Sequence, residues 1–431
     1  MHLPIIRKIV LAATLLIHHL YALPCSMYKV TAHGKTMVGN NEDSWRETSA
    51  IWFEQAIDGN YGAVYVGYTD KNWPDGGMND QGLAFDAFSM PHRSNLPQPD
   101  PNKRDFGYID LKRILQKCAT VDEAYNYLHN LNLHVLNGSP LFYGGMLLFI
   151  DKTGKYLVAE ADTLVIGNDD RFVLANFSYA HTADLNTIKT ERYCKGREFL
   201  KNKTDTSLAF RTALSDTMGV NRKRIGDGTL YTNIYDLQEG IIYNYFFHNY
   251  SKVITFNLKE ELQKGNHLYK YAELFKANAG YNRFIHYYTP QNNRILFGFL
   301  LATGLLFCFS GIYLIYKTIR KKEGTATGIY KPVVVSIALL FIALGYYCVL
   351  LLQNQGAFYF DAPYNSGRLS VINYASYLPY VLLLAAIPLL LFVYKKASSL
   401  AGIQKHLLRL NTALCLLLLV AFAYWGFYNV W

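Results

Sequence analysis

Cys25 is the residue of this chain best placed to do chemistry. It follows a leader-like segment: Arg7 and Lys8 precede a largely apolar stretch over residues 9–23, broken by His18 and His19, and then come Pro24 and Cys25. That is the layout of a secretory signal peptide, with an uncleaved anchor as the alternative. Removal of residues 1–24 would make Cys25 the N-terminal residue. Its free α-amine, with a pKa of about 7.7–8.0, would then be available as general base for its own thiol, one residue supplying both nucleophile and base. Pro24 is a poor residue to precede a signal-peptidase cut, so cleavage after Ala22 with self-removal of Leu23-Pro24 is the expected route. No His or Cys cluster has metal-ligand spacing, so neither a metal nor a cofactor is expected. The chemistry expected is thiolate attack on a carbonyl.

Two further elements follow Cys25-Ser26 in order: Gly39-Asn40-Asn41-Glu42-Asp43-Ser44-Trp45 and Gly76-Gly77-Met78-Asn79-Asp80-Gln81-Gly82-Leu83-Ala84. Together the three resemble the N-terminal-nucleophile hydrolases of the linear amide type. That group includes the choloylglycine hydrolases (bile salt hydrolase, penicillin V acylase) and the isopenicillin N acyltransferase-like proteins. Its pattern is a cysteine, a short hairpin ending in Gly-Xaa-Asn-Xaa-Asp, then Gly-Met-Asn-Glu-Lys-Gly-Leu. The segments 144–150, 151–155 and 158–160 also look like the family's strand–turn–strand, and the resemblance covers roughly residues 25–197.

The resemblance implies an α+β fold, an αββα sandwich with Cys25 at the edge of a central sheet. It also implies roles. Asp43 matches the aspartate that orients the N-terminal amine, a base being useful only when a third group holds it. Asn176 matches the asparagine whose amide donates to the oxyanion, and Ser89 falls where a backbone N–H completes that hole. Arg192 is the best candidate for a cation beside the nucleophile, favouring thiolate. Asn41 and Asn79 are grouped with Ser89 as oxyanion or substrate contacts. One departure matters: Asn40 stands where bile salt hydrolases have arginine. This weakens the case for a bile-salt conjugate and leaves an acyltransferase, a dipeptidase, or a vestigial sensor domain as alternatives to an amidase.

The elements that must position these residues read as short strands and helices. Residues 26–32 and 36–39 form a hairpin about His33-Gly34-Lys35, with further strands at 51–56, 62–68 and 83–88 and a turn at Asp75-Gly76-Gly77. Helical spacing covers 111–117, 121–131, 192–201 and 208–218, and a hairpin spans 144–160. Such a mixture suits a layered α+β domain over residues 25–290. Cys118 and Cys194 are candidates for pairing in an oxidising compartment.

Charge separates this domain from the rest. The chain carries a formal +10, yet residues 25–293 hold 29 basic and 30 acidic residues, whereas 294–431 hold 11 and two. A neutral domain gives no electrostatic footprint for nucleic acid. The C-terminal region has four apolar runs, at 295–316, 333–352, 377–394 and 410–431, each near the length needed to cross a bilayer. Lys317, Arg320, Lys321, Lys322 and Lys331 lie between the first two runs, and Lys395, Lys396, Lys405 and Arg409 between the last two. Basic loops stay cytoplasmic, which puts the domain before residue 294 on the outer side of the membrane lipid. The expected substrate is a small N-acyl amide.

Overall fold

A computed structural model describes residues 25–428 apart from 45–46, 72, 139–143, 202, 222–227, 321–329, 366–369 and 397–401. The expected leader at 1–24, and with it the expected processing route, lies outside the described residues, as does Trp45. The described chain divides into two compact units, one before Ile285 and one from Ile285 onward.

The first unit contains sixteen described strands. They are β1 (Cys25–Ala32), β2 (Lys35–Ser44), β3 (Ser49–Glu54), β4 (Ala63–Tyr68), β5 (Gly76–Asn79), β6 (Ala84–Met90), β7 (Arg104–Asp105) and β8 (Leu131–Asn132). Then follow β9 (Gly144–Ile150), β10 (Tyr156–Ala159), β11 (Leu164–Gly167), β12 (Arg171–Ala175), β13 (Gly228–Asp236), β14 (Ile241–Phe246), β15 (Asn249–Asn257) and β16 (His267–Lys270). Among the described residues, six strands form one antiparallel sheet in the order β12-β1-β2-β13-β14-β15. Eight form another in the order β11-β10-β9-β6-β5-β4-β3-β16, and β7 and β8 make a small parallel pair.

Helices Glu191–Leu200 and Leu208–Met218 pack on the six-stranded sheet, and helices Ile109–Lys117 and Val121–His129 on the eight-stranded one, while β1 meets β6 between the sheets. The result is the four-layer αββα order that the resemblance implies. Local chemistry explains the pieces. His33 (φ 52°) and Gly34 (φ 72°) are both left-handed, as a two-residue hairpin demands. Thr120 and Ser207 cap their helices by accepting from the N–H of Glu123 and Phe210, satisfying donors that helix starts otherwise leave bare. Leu147 and Phe149 of β9 join Leu111, Ile114 and Leu115 in one buried cluster under the helices. Each such side chain contributes about 1.5–3 kcal/mol on burial.

Gly76 and Gly77 lie within β5 and not in a turn. A Cβ on Gly77 would stand 2.4 Å from the Val64 carbonyl oxygen, so the pair marks close backbone approach inside a sheet. Cys118, buried, and Cys194, exposed, are both free thiols and form no disulfide.

Among the described residues the second unit holds four spans long and apolar enough to cross a membrane, Arg294–Arg320, Lys331–Gln353, Val371–Lys395 and Ile403–Tyr424, with mean hydropathy of 2.0 to 2.6. At 1.5 Å per residue even the 19-residue helix Leu378–Lys396 reaches about 29 Å. The fourth helix begins seven residues before the expected run and ends at Tyr424, because Lys405 and Arg409 continue its first turns. Gly304, Gly311 and Gly345 let the first two helices approach closely: a Cβ on Gly345 would meet the Gly304 oxygen at 2.7 Å. Small residues at such contacts are the usual means of packing helices in lipid.

Candidate active site

Strand pairing assembles the site. In the β1–β2 register Cys25 lies opposite Glu42 and Ser26 opposite Asn41. In the β1–β12 register Ser26 lies opposite Ala175, the last residue of β12, and Asn176 follows it directly. Because side chains alternate along a strand, β2 splits its polar run between the two faces of the sheet. Asn40 and Glu42 point between the sheets with Cys25, whereas Asn41 and Asp43 point toward the helices.

On the inner face the Cys25 thiol donates to Glu42 Oε2 at 2.8 Å. The Tyr68 hydroxyl, from the opposite sheet, donates to Glu42 Oε1 at 3.2 Å. Cys25 is 2% exposed and Glu42 1%. Asn40 Nδ2 donates to Asp86 Oδ2 at 2.6 Å, and Lys71 Nζ bridges both oxygens of Asp75 at 2.7 and 3.0 Å. Burial, then the negative charges of Glu42 and Asp86, push the Cys25 thiol well above its ordinary range. Burial and neighbouring Asp75 raise the Glu42 carboxyl to about 8. Burial and Glu42 likewise push Asp86 well up.

On the other face Asp43 accepts from Thr229 Oγ1 at 2.6 Å and from Arg192 Nη1 at 2.5 Å. Arg192 thus sits on the aspartate. The charges that act most strongly on the thiol are the carboxylates of Glu42 and Asp86. A bulge in β13 between Thr229 and Tyr231 sets this arrangement: it pairs Thr229 with Asp43 yet Tyr231 with Glu42.

Asn176 and Ser89 are brought together, Asn176 Nδ2 donating to the Ser89 carbonyl at 2.8 Å. Asn41 and Asn79 are not part of this group. Asn41 Nδ2 donates to Ser215 O at 2.9 Å and its Oδ1 accepts from Thr232 at 2.7 Å, tying β2 to a helix and to β13. Asn79 accepts from the Leu83 and Gln81 N–H groups and donates to the Leu115 and Cys118 carbonyls. Its hydrogen-bonding capacity is spent on the turn and on the outer helix. Glu42, Tyr68, Asp75 and Asp86 were missed by sequence reasoning. The signal for Glu42 was its phase: two residues after Asn40 in a strand, it must share the face of the hairpin residue paired with it. Among the described residues no cluster of His, Cys, Asp or Glu could hold a metal ion.

Neither a protein-family model nor a curated protein matches this chain. Among solved structures, 57% of it is similar to 97% of a variant of conjugated bile acid hydrolase from Clostridium perfringens, at 18% identity and a TM-score of 0.45. The same share is similar to 90% of penicillin V acylase from Agrobacterium tumefaciens, at 13% identity and a TM-score of 0.41. A Caenorhabditis elegans ortholog of N-acylethanolamine-hydrolyzing acid amidase is similar over 49% of this chain and 92% of its own, at 13% and 0.34.

Proposed function

We propose that this chain is a membrane-tethered amidase that cleaves the linear C–N bond of an N-acyl compound, with Cys25 as nucleophile once residues 1–24 are gone. The observation that carries the reading is the place of Asn176, directly after the β12 residue that pairs with Ser26, with its amide held by the Ser89 carbonyl. Thiol sulfur attacks the amide carbonyl, and an N–H of Asn176 with the backbone N–H of Ser89 stabilises the oxyanion. The α-amine of the mature N-terminus, oriented by Asp43, moves protons. Water resolves the acyl-enzyme. Asn176→Ala is expected to lower kcat by about 10²–10³ with little change in KM, as removal of one oxyanion donor does. An unchanged kcat would remove Asn176 from the site.

The substrate proposed is an N-acyl amide with an apolar acyl group. Asn40 is committed to Asp86 and offers no cation to a bile-salt conjugate, while four bilayer-length helices would keep the domain near lipid. There each buried CH₂ contributes about 0.8 kcal/mol. Incubation of the membrane fraction with a chain-length series of N-acyl amino acids, penicillin V, a glycine-conjugated bile salt and a dipeptide tests this. Release that rises with acyl length supports the proposal. Cleavage of the dipeptide alone moves the protein to the dipeptidases, and release only with an added amine makes it an acyltransferase.

We put the catalytic domain outside, because basic residues cluster at 317–331 and 395–409 and such loops stay cytoplasmic. A reporter fused after Leu400 is expected to read cytoplasmic, and one after Asp361 external. An external signal from the Leu400 fusion would invert the proposed orientation.

A further inference from the structure

Glu42 has no role in the scheme of amine, aspartate and oxyanion hole, yet it is a carboxyl bonded to the Cys25 sulfur. Its placement is specific. β1 and β2 pair it with Cys25, the opposite sheet supplies Tyr68 to its second oxygen, and residue and thiol are both buried. A carboxyl gripped from two sheets at 2.8 Å from a nucleophilic sulfur is built to accept that sulfur's proton.

We propose, building on the reading of Cys25 as nucleophile, that Glu42 is a catalytic residue: its Oε2 takes the thiol proton as sulfur attacks the amide carbonyl, leaving the α-amine to serve the leaving nitrogen. The steps balance. The S–H bond breaks to form O–H on Glu42, the S–C bond forms, and the carbonyl pair moves to oxygen. Collapse breaks the C–N bond, and the leaving nitrogen takes a proton from the α-ammonium. Water then attacks the thioester and gives its proton to the α-amine. The S–C bond breaks, and the departing thiolate recovers its proton from Glu42. Near neutral pH an α-amine is largely ammonium, the form that this division of labour requires.

Burial lifts the carboxyl to about 8 and the thiol well above its ordinary range, so both groups hold their protons more tightly than in water and face each other across the 2.8 Å bond. The charged and titratable groups around Glu42 are Cys25 on β1, Asp43 on β2, Tyr68 at the end of β4, Lys71 and Asp75 before β5, Asp86 on β6 and Tyr231 on β13. Two groups that share a proton titrate in two macroscopic steps.

The test is the pH dependence of iodoacetamide alkylation at Cys25, followed on the peptide containing it in the detergent-solubilised full chain after N-terminal sequencing. The wild type is expected to show two steps, with a plateau from the tautomer in which the proton sits on Glu42. Glu42→Gln is expected to show one step and to lower kcat by about 10²–10⁴. Glu42→Asp, which keeps the charge, should restore the second step at a reduced rate. A single-step profile in the wild type overturns the proposal without any variant. An unchanged profile and kcat in Glu42→Gln also overturn it. Retained amide cleavage in Cys25→Ser instead overturns the nucleophile reading, so the two failures are distinguishable.

Discussion

Cys25→Ala is expected to lower amide release by a factor on the order of 10⁴ or more, since loss of a covalent nucleophile removes the acyl-enzyme route itself. The loss should be in kcat and not in substrate binding, because the thiol is a buried reacting group rather than a binding surface. Fold should be preserved: a short side chain is lost from the end of β1, and the strand's anchor lies elsewhere. That anchor is Tyr28, whose hydroxyl donates to the Arg211 carbonyl at 2.7 Å and contacts Ser215 Oγ at 2.8 Å. N-terminal sequencing belongs to the same experiment. If processing depends on the thiol, Cys25→Ala accumulates as the longer chain, whereas the wild type begins at Cys25. An active wild-type chain that begins upstream of Cys25 would defeat the single-residue nucleophile, because a peptide nitrogen cannot act as the base.

The second large effect is on stability. Arg192→Met is expected to destabilise the domain by about 3 kcal/mol, the lower end of the range for breaking a buried ion pair, since the Arg192 side chain is 14% exposed against 2% for Asp43. In a domain of this size that corresponds to roughly 6–12 °C in Tm. The Thr229 hydroxyl would still donate to Asp43, but a neutral hydroxyl does not replace the charge of the guanidinium. Combining Arg192→Met with Asp43→Asn should recover much of the loss, because a neutral pair replaces a stranded charge. Thermal unfolding of the three proteins in one detergent measures this. Equal midpoints for wild type and Arg192→Met would show that the ion pair contributes nothing.

How much of this was legible in the sequence differs by element. The β1–β2 hairpin was readable because alternation and a His-Gly turn agree, and the four apolar runs because length and composition suffice. β13 and β14 were not. All nine residues of β13 are buried, so it is covered on both faces and carries no alternation to detect, and its Tyr, Thr and Asn residues read equally well as loop. The two glycines of β5 read as a turn because glycine punctuates turns more often than it relieves crowding in a sheet. Asp43 was legible through a motif. Its partnership with Arg192 was not, since 149 residues separate the two and no spacing rule spans that distance. The helix boundary near residue 403 was obscured by Lys405 and Arg409, which an apolar window excludes and a helix end tolerates.

The bulge between Thr229 and Tyr231 makes the site sensitive to chain length in a way that no single side chain is. With one extra residue on β13, Thr229 pairs with and donates to the helix-facing aspartate, while Tyr231 pairs with the inward glutamate, two positions on opposite faces of the same sheet. A codon exchanged at either position alters one of them. Loss of Leu230, the extra residue, would leave a regular ladder with both pairings kept, whereas loss of any other residue of β13 slips the register on one side and turns its side chains to the opposite face. Variation among descendants of this sequence should therefore run through replacement at these positions, with insertions and deletions, loss of Leu230 apart, confined to the turns beyond the strand ends.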